Sequence, residues 1–207
     1  MSMYFIKTPE ILKRIYPNQV WSYPVSDKKL YLTFDDGPTP NITEWVLREL
    51  KKYSARATFF LVGQNAERYP EIVSRIKKEG HAIGNHTYRH VNGWMTSPKP
   101  YLKDVLKCDE ILHTKLFFFF YSRITRSQTR MMMNRYRVIM WDVLSGDFDH
   151  SITAERCLKN VIENTLSGSI VVFHDSMKAA DRLQYVLPRT LDHFSAKGYS
   201  FDRISSQ

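Results

Sequence analysis

The chain has only two cysteines, Cys108 and Cys157, and neither sits in a CxxC or Cys/His spacing. That leaves no disulfide scaffold, and two reduced, packed thiols are the simplest reading. Long apolar runs are missing too. The longest, Leu116 to Tyr121, is far too short to span a bilayer. From Met1 to Tyr16, Lys7, Glu10, Lys13 and Arg14 interrupt the apolar residues, so the unbroken core of a secretory signal is absent. A cytoplasmic protein, or a chain whose leader has been removed, is expected. There is no internal repeat, low-complexity linker or sharp break in composition. One domain over residues 1–207 is therefore expected, with its core at about 29–204.

What is present is enough for a large core. The chain has 207 residues, 43% of them hydrophobic, which excludes a disordered chain. Its formal charge of +9 suits an anionic partner, or simply a soluble basic protein. One stretch is locally basic: Leu116 to Trp141 has no acidic residue but carries Arg123, Arg126, Arg130, Arg135 and Arg137. No nucleic-acid recognition motif accompanies it, and no nucleic-acid partner is expected. Oligomeric state cannot be read from the chain.

Strand-like and helix-like segments alternate. Strands are predicted at Leu30–Phe34, Ala57–Val62, Ala82–Asn85, Phe117–Tyr121, Val138–Val143, Ile170–Phe173 and Tyr199–Ile204, although the four phenylalanines from Phe117 fit a buried helix end almost as well. Helices are predicted from the Asn41 cap to about Tyr53, with Glu44 completing a capping box, and at Ala66–Glu79, Tyr101–His113, Thr153–Leu166 and Leu183–Lys197, the last interrupted at Pro188. About seven strands with intervening helices imply a parallel α/β sheet, either an irregular barrel or an open doubly wound sheet.

Chemistry-bearing residues gather at strand ends, where parallel α/β folds assemble their sites. Asp35 and Asp36 follow the first strand in Thr33-Phe34-Asp35-Asp36-Gly37-Pro38. Adjacent side chains leaving a strand point different ways, so one carboxylate can bind a metal while the other faces a metal-bound water. Asp-Asp-Gly also makes an ordinary turn. His86 and His90 follow the third strand with the i, i+4 spacing that grips zinc from one face of a helical turn, although a pair of surface histidines would look the same. Two imidazoles and one carboxylate leave a position open for water. Ser169 to Asp175 is an apolar strand ending in His174, placed to act as a general acid or to serve structure alone. His81, His113, His150 and His193 lack such partners and are expected to be structural.

Together, and in this order, these motifs resemble those of the polysaccharide deacetylases of carbohydrate esterase family 4, the NodB homology domain. TFDDGP, HTYRH and IVVFHD are similar to the family's first, second and fifth motifs, and Trp141 to Phe148 to its fourth. The resemblance runs from about Lys29 to Ile204. It implies an irregular, distorted β/α barrel of about seven strands. It also implies a hydrolase that removes acetyl groups from N-acetylated glycans such as peptidoglycan, chitin oligomers or a secreted polymer. On that resemblance Asp36, His86 and His90 hold a divalent metal, commonly zinc, and Asp35 is the general base. His174 protonates the departing amine and Asp147 holds and charges His174. Tyr121 marks the backbone N–H that meets the oxyanion, and Phe148 walls the acetyl pocket.

The third motif departs from the family. Aligned on Tyr121, the chain reads Phe118-Phe119-Phe120-Tyr121-Ser122 where the family usually has Arg, two residues that are often proline, an aromatic and Gly. The cation that would keep Asp35 ionised and aimed is gone, with Arg123 the nearest candidate to replace it. Two alternatives follow: a glycan-binding protein that has lost turnover, or a hydrolase of another non-peptide amide.

Overall fold

The computed structural model describes residues 4–24, 26–119 and 125–205, without the side chain of residue 126. Its strands are β1 Lys29–Asp35, β2 Thr58–Leu61, β3 Ala82–Asn85, β4 Leu116–Phe118, β5 Arg137–Ile139, β6 Val143–Leu144, β7 Ile170–His174 and β8 Ser200–Phe201. They pair in the order β5-β4-β3-β2-β1-β7-β6, with β8 added at the start of β1, and every paired ladder is parallel.

This order forces the sheet to curl. β5 and β6 are its two outer strands, yet Ile139 and Val143 are separated by only a short stretch of chain. Six inter-strand steps laid flat would span about 29 Å. The link reaches at most about 14 Å. The sheet therefore bends back on itself into a distorted half-barrel. The N-terminal segment lies along the gap: Val20 bridges Ile139, and Lys7 bridges Val143. The expected Val138–Val143 strand is thus two strands. Met140 N–H donates to Val20 and Asp142 N–H to Ile170, so the chain leaves one edge and joins the other between them.

Strand parity sorts the side chains. Phe34, Phe59, Leu61, Val171 and Phe173 face outward, where they pack against helices. These include α2 (Ile42–Lys52) and α8 (Ala180–Ala196), which bury Val46, Leu47, Leu50, Val186, Leu187 and Leu191. Each such buried aliphatic contributes about 1.5–3 kcal/mol. Phe60, Phe118, Ile139, Leu144, Ile170 and Val172 fill the inside. Asp35 and His174 follow the outward Phe34 and Phe173, so both belong to the inner face.

Several local expectations are corrected. The Ala66–Glu79 helix is two helices, α3 Gly63–Arg68 and α4 Pro70–Lys78, because the residue before a proline avoids helical backbone. Helix α8 is not interrupted at Pro188. The backbone partner that a proline cannot supply belongs to the exposed Gln184, where water can serve. Two further helices have no counterpart among the expected ones. α1 (Glu10–Ile15) is a short helix that buries no residue, and its Ile11, Leu12 and Ile15 cover little more than one turn. α6 (Arg126–Met133) opens with a Thr125–Gln128 capping box that the sequence does carry. The remaining helices are α5 (Pro98–Leu112) and α7 (Ala154–Asn164). Strand β4 ends at Phe118, and Tyr121, Ser122 and Arg123 lie outside the described residues. Both cysteines are free and buried.

Candidate active site

The strand register brings the polar residues together. Asp35 of β1 is aligned with Phe60 of β2 on one side and with His174 of β7 on the other. Asn85 ends β3, and His86 follows it. A cleft at this rim is lined by Asp35, Asp36, His86 and His174, with an apolar wall opposite.

Asp36 adopts φ 78°, which turns its side chain away from that of Asp35. Its Oδ1 lies 3.1 Å from His90 Nε2 and 3.8 Å from His86 Nε2. All three donor atoms fall within 4.8 Å of one another. His86 Nδ1 lies 2.9 Å from the Phe118 carbonyl oxygen. A carbonyl only accepts, so Nδ1 carries the proton and the Nε2 lone pair is left for a cation. Burial, reinforced by the charge of His90, holds the His86 pKa down at about 3, so the ring is neutral. Burial alone would raise the Asp36 pKa. The hydrogen bond with His90 and the charges of His174, His90 and His86 overcome it and hold the carboxyl below its usual range. A neutral imidazole and an ionised carboxylate are the forms in which these side chains bind divalent cations.

The expected helical turn at His86–His90 is absent. The segment is an irregular loop with Thr87 at φ 67° and His90 at φ 56°. Asp104 on α5 holds it, with Oδ1 accepting from Tyr88 N–H at 2.8 Å and Arg89 N–H at 2.9 Å, and Oδ2 meeting the Arg89 guanidinium at 2.7 Å. Asn85 Oδ1 accepts from Thr87 N–H, and Thr87 Oγ1 from Val91 N–H. A buried carboxylate thus does what helical spacing was expected to do.

Asp35 is 2% exposed, and its Oδ1 meets no hydrogen-bond partner among the described residues. Burial pushes its pKa well above the usual carboxylate range. The charge of His174 pulls the other way, and those of Asp36, Asp175 and Asp147 add to the rise. Phe118, in place of the expected arginine, packs its ring on Phe60 and His86 at centroid distances of 5.1 and 5.8 Å.

His174 is gripped by fully buried Asp147. Its Nδ1 lies 2.8 Å from Asp147 Oδ1, and its backbone N–H donates to Oδ2 at 2.8 Å. Burial alone would lower the His174 pKa. The charge and hydrogen bond of Asp147 outweigh it and raise the value to about 10. With Nδ1 engaged, Nε2 is the nitrogen left for the cleft. Phe148 stands edge-on to His174 at 4.9 Å. His81 accepts from Ala57 N–H and is held neutral by burial at about 4.

Asp175 was not singled out from the sequence. It is fully buried and accepts from Gly37 N–H at 3.1 Å and from the Thr43 hydroxyl, while its own N–H donates to the Asp35 carbonyl. This fixes the turn that presents Asp36, which Asn65 and Val62 pin from the other side. A Cβ on Gly37 would lie 2.2 Å from Asp175 Oδ2. Gly37→Ala is therefore expected to cost about 1–3 kcal/mol and to weaken zinc binding, as measured by urea unfolding and by zinc titration.

A family model described as polysaccharide deacetylase matches residues 22–117. A peptidoglycan-N-acetylglucosamine deacetylase of Bacillus cereus is 33% identical over 198 residues, covering 90% of this chain and 70% of that protein. The crystal structure of the Bc1960 peptidoglycan N-acetylglucosamine deacetylase shares 31% identity at a TM-score of 0.81, covering 95% of each chain. A Bacillus anthracis protein described as a CE4 family pseudoenzyme shares the fold at a TM-score of 0.79 and 20% identity, covering 90% of this chain and 67% of its own. With its curled parallel sheet and these relatives, the chain belongs to the polysaccharide deacetylases, carbohydrate esterase family 4, and has their NodB-type distorted β/α barrel.

Proposed function

We propose that the chain is a metal-dependent N-deacetylase acting on N-acetylated aminosugars of peptidoglycan or a related N-acetylglucosamine polymer. One observation carries the reading: two members of the three-donor cluster, Asp36 and His86, line a single cleft with the buried Asp35 carboxylate and the carboxylate-held His174 imidazole, and the third donor, His90, stands 3.1 Å from Asp36. The cleft holds about 50 Å³, room for about four water-sized groups. An acetamide head fits this space, and the sugar ring stays outside.

Asp36, His86 and His90 would hold the cation. When bound, a divalent metal such as zinc supplies Lewis-acid polarisation of the acetamide carbonyl and a more acidic water. Asp35 is the general base. Its environment raises its affinity for a proton, which favours taking one from the attacking water. His174, charged at neutral pH, gives a proton from Nε2 to the departing nitrogen as the C–N bond breaks. Asp147 fixes the ring for that transfer. Acetate and a free amino sugar leave. Phe148 keeps the acyl side apolar, and a backbone N–H near Tyr121 would meet the oxyanion.

Acetate release from N-acetylglucosamine oligomers, run beside a panel of other amides, tests the substrate class. Release confined to the acetylated sugars is expected, and preference for another amide would overturn it. Zinc at about a hundred times its dissociation constant is expected to add about 2.7 kcal/mol of stability, read as a rise in Tm that a chelator reverses.

The lack of a hydrogen-bond partner for Asp35 Oδ1 among the described residues favours a second reading, a glycan-binding protein without turnover. Phe118→Arg discriminates. A silent protein would gain acetate release. An active one would lose some, because the ring packed on His86 is gone.

A further inference from the structure

We infer that Tyr4 sets the size of the acyl group this protein accepts. The inference rests on the proposed deacetylase reading. Tyr4 lies outside residues 22–117, which match the family model, and outside every motif of the site. It nevertheless lines the cleft together with Asp35, Asp36 and His174.

The cleft has two characters. Its ionisable groups come from β1, β7 and the loop after β3. Its apolar wall is Phe118, Trp141, Leu144, Phe148, Val172 and the ring of Tyr4. An N-acyl group has one polar end, the carbonyl, and one apolar end. With the carbonyl at the donor cluster, the alkyl end must lie against the apolar wall.

Tyr4 is a fixed part of that wall. Its ring packs on Phe148 at 5.2 Å, and Phe148 in turn stands against His174. Its hydroxyl donates to Asp149 Oδ2 at 2.7 Å. That hydroxyl passes 3.3 Å from the Cβ position of Gly146, so the small residue makes room for the reach. The segment behind it is fastened along β6. Leu144 N–H donates to Ile6, Trp141 Nε1 to Phe5, and Thr8 N–H to Asp142. Lys7 forms a 2.6 Å ion pair with Asp142. A ring anchored at both ends cannot swing aside for a longer chain. A methylene added to a close apolar pocket changes discrimination by about 10–200-fold.

The test compares N-acetyl, N-propionyl and N-butyryl glucosamine oligomers by kcat/KM on the zinc-loaded full chain, with Tyr4→Ala, Tyr4→Leu and Tyr4→Phe. Wild type is expected to prefer acetyl over butyryl by at least tenfold. Y4A is expected to cut that ratio by tenfold or more and Y4L by less, while Y4F, which keeps the ring and its packing on Phe148 but loses the hydroxyl anchor, lowers it least of the three. Acetate, propionate and butyrate binding, read from the fluorescence of Trp141 against a Trp141→Phe control, supplies the same comparison without turnover. A wild type that binds acetate selectively but turns over no substrate would sink the deacetylase reading and leave the size filter standing. Equal acyl preferences in wild type and a folded Y4L or Y4A, in both assays, would overturn the inference.

Discussion

Asp35→Asn is expected to reduce acetate release by about 10²–10⁴-fold while making the metal-free protein more stable. Both effects have one cause. Asp35 is buried among Asp36, Asp147 and Asp175, and its Oδ1 lacks a hydrogen-bond partner among the described residues. A carboxyl so placed binds a proton avidly, as a base should, and costs stability whenever it is ionised. The sign follows from the raised pKa. Below the unfolded value of about 3.9 the group is neutral in both states and costs nothing. As pH rises from there toward the folded pKa, the unfolded chain sheds its proton first and the folded state loses ground. The advantage of D35N is therefore absent near pH 3, grows as pH rises, and reaches about 1–3 kcal/mol at neutral pH. Thermal melts across pH, paired with acetate assays at pH 7, measure it. A D35N protein that keeps wild-type activity would remove Asp35 from the chemistry.

Asp147→Asn is the second large effect. Asp147 holds both the backbone N–H and the ring Nδ1 of His174 and supplies the charge that raises the imidazole pKa to about 10. Asparagine preserves the shape but not the charge. Acetate release is expected to fall by about 10²–10⁴-fold because the proton donor is neutral at working pH. Stability is expected to fall by about 3 kcal/mol at pH 6, since a buried pair has lost one member. Here the pKa is raised on a base. The stabilisation is fully present below the unfolded value of 6.5 and is lost as pH climbs through about 10. Wild type therefore destabilises across that window, whereas D147N starts lower and changes little. NMR titration of the His174 ring reports the shift directly, and an unchanged His174 pKa in D147N would contradict the pairing.

Much of this was legible in the chain. Apolar strands ending in Asp35 and His174 sufficed to expect both side chains at one rim, and the i, i+4 histidines marked the donor cluster. The supports were not legible, because each joins residues distant in sequence. Asp104 holds the His86–His90 loop from α5, Asp175 holds Gly37 across the β1–β7 ladder, and Tyr4 reaches Phe148 from the N-terminal segment. No local spacing encodes such pairs. The same limit explains the split at Ile139–Val143. Six residues of strand-like composition serve opposite edges of a curled sheet, and only the closure of the sheet reveals it. Thr125 and Gln128 are a different case, since their capping box stands in the sequence.

In the proposed mechanism Asp36, His86 and His90 hold the cation on which deacetylation depends. The test is to titrate zinc into metal-stripped protein and follow bound zinc and acetate release in the same samples. Both are expected to rise together and level off at one zinc per chain, and His86→Ala and His90→Ala are expected to flatten both curves. Full acetate release before any zinc is added, or zinc-dependent release unchanged in those two variants, would contradict it.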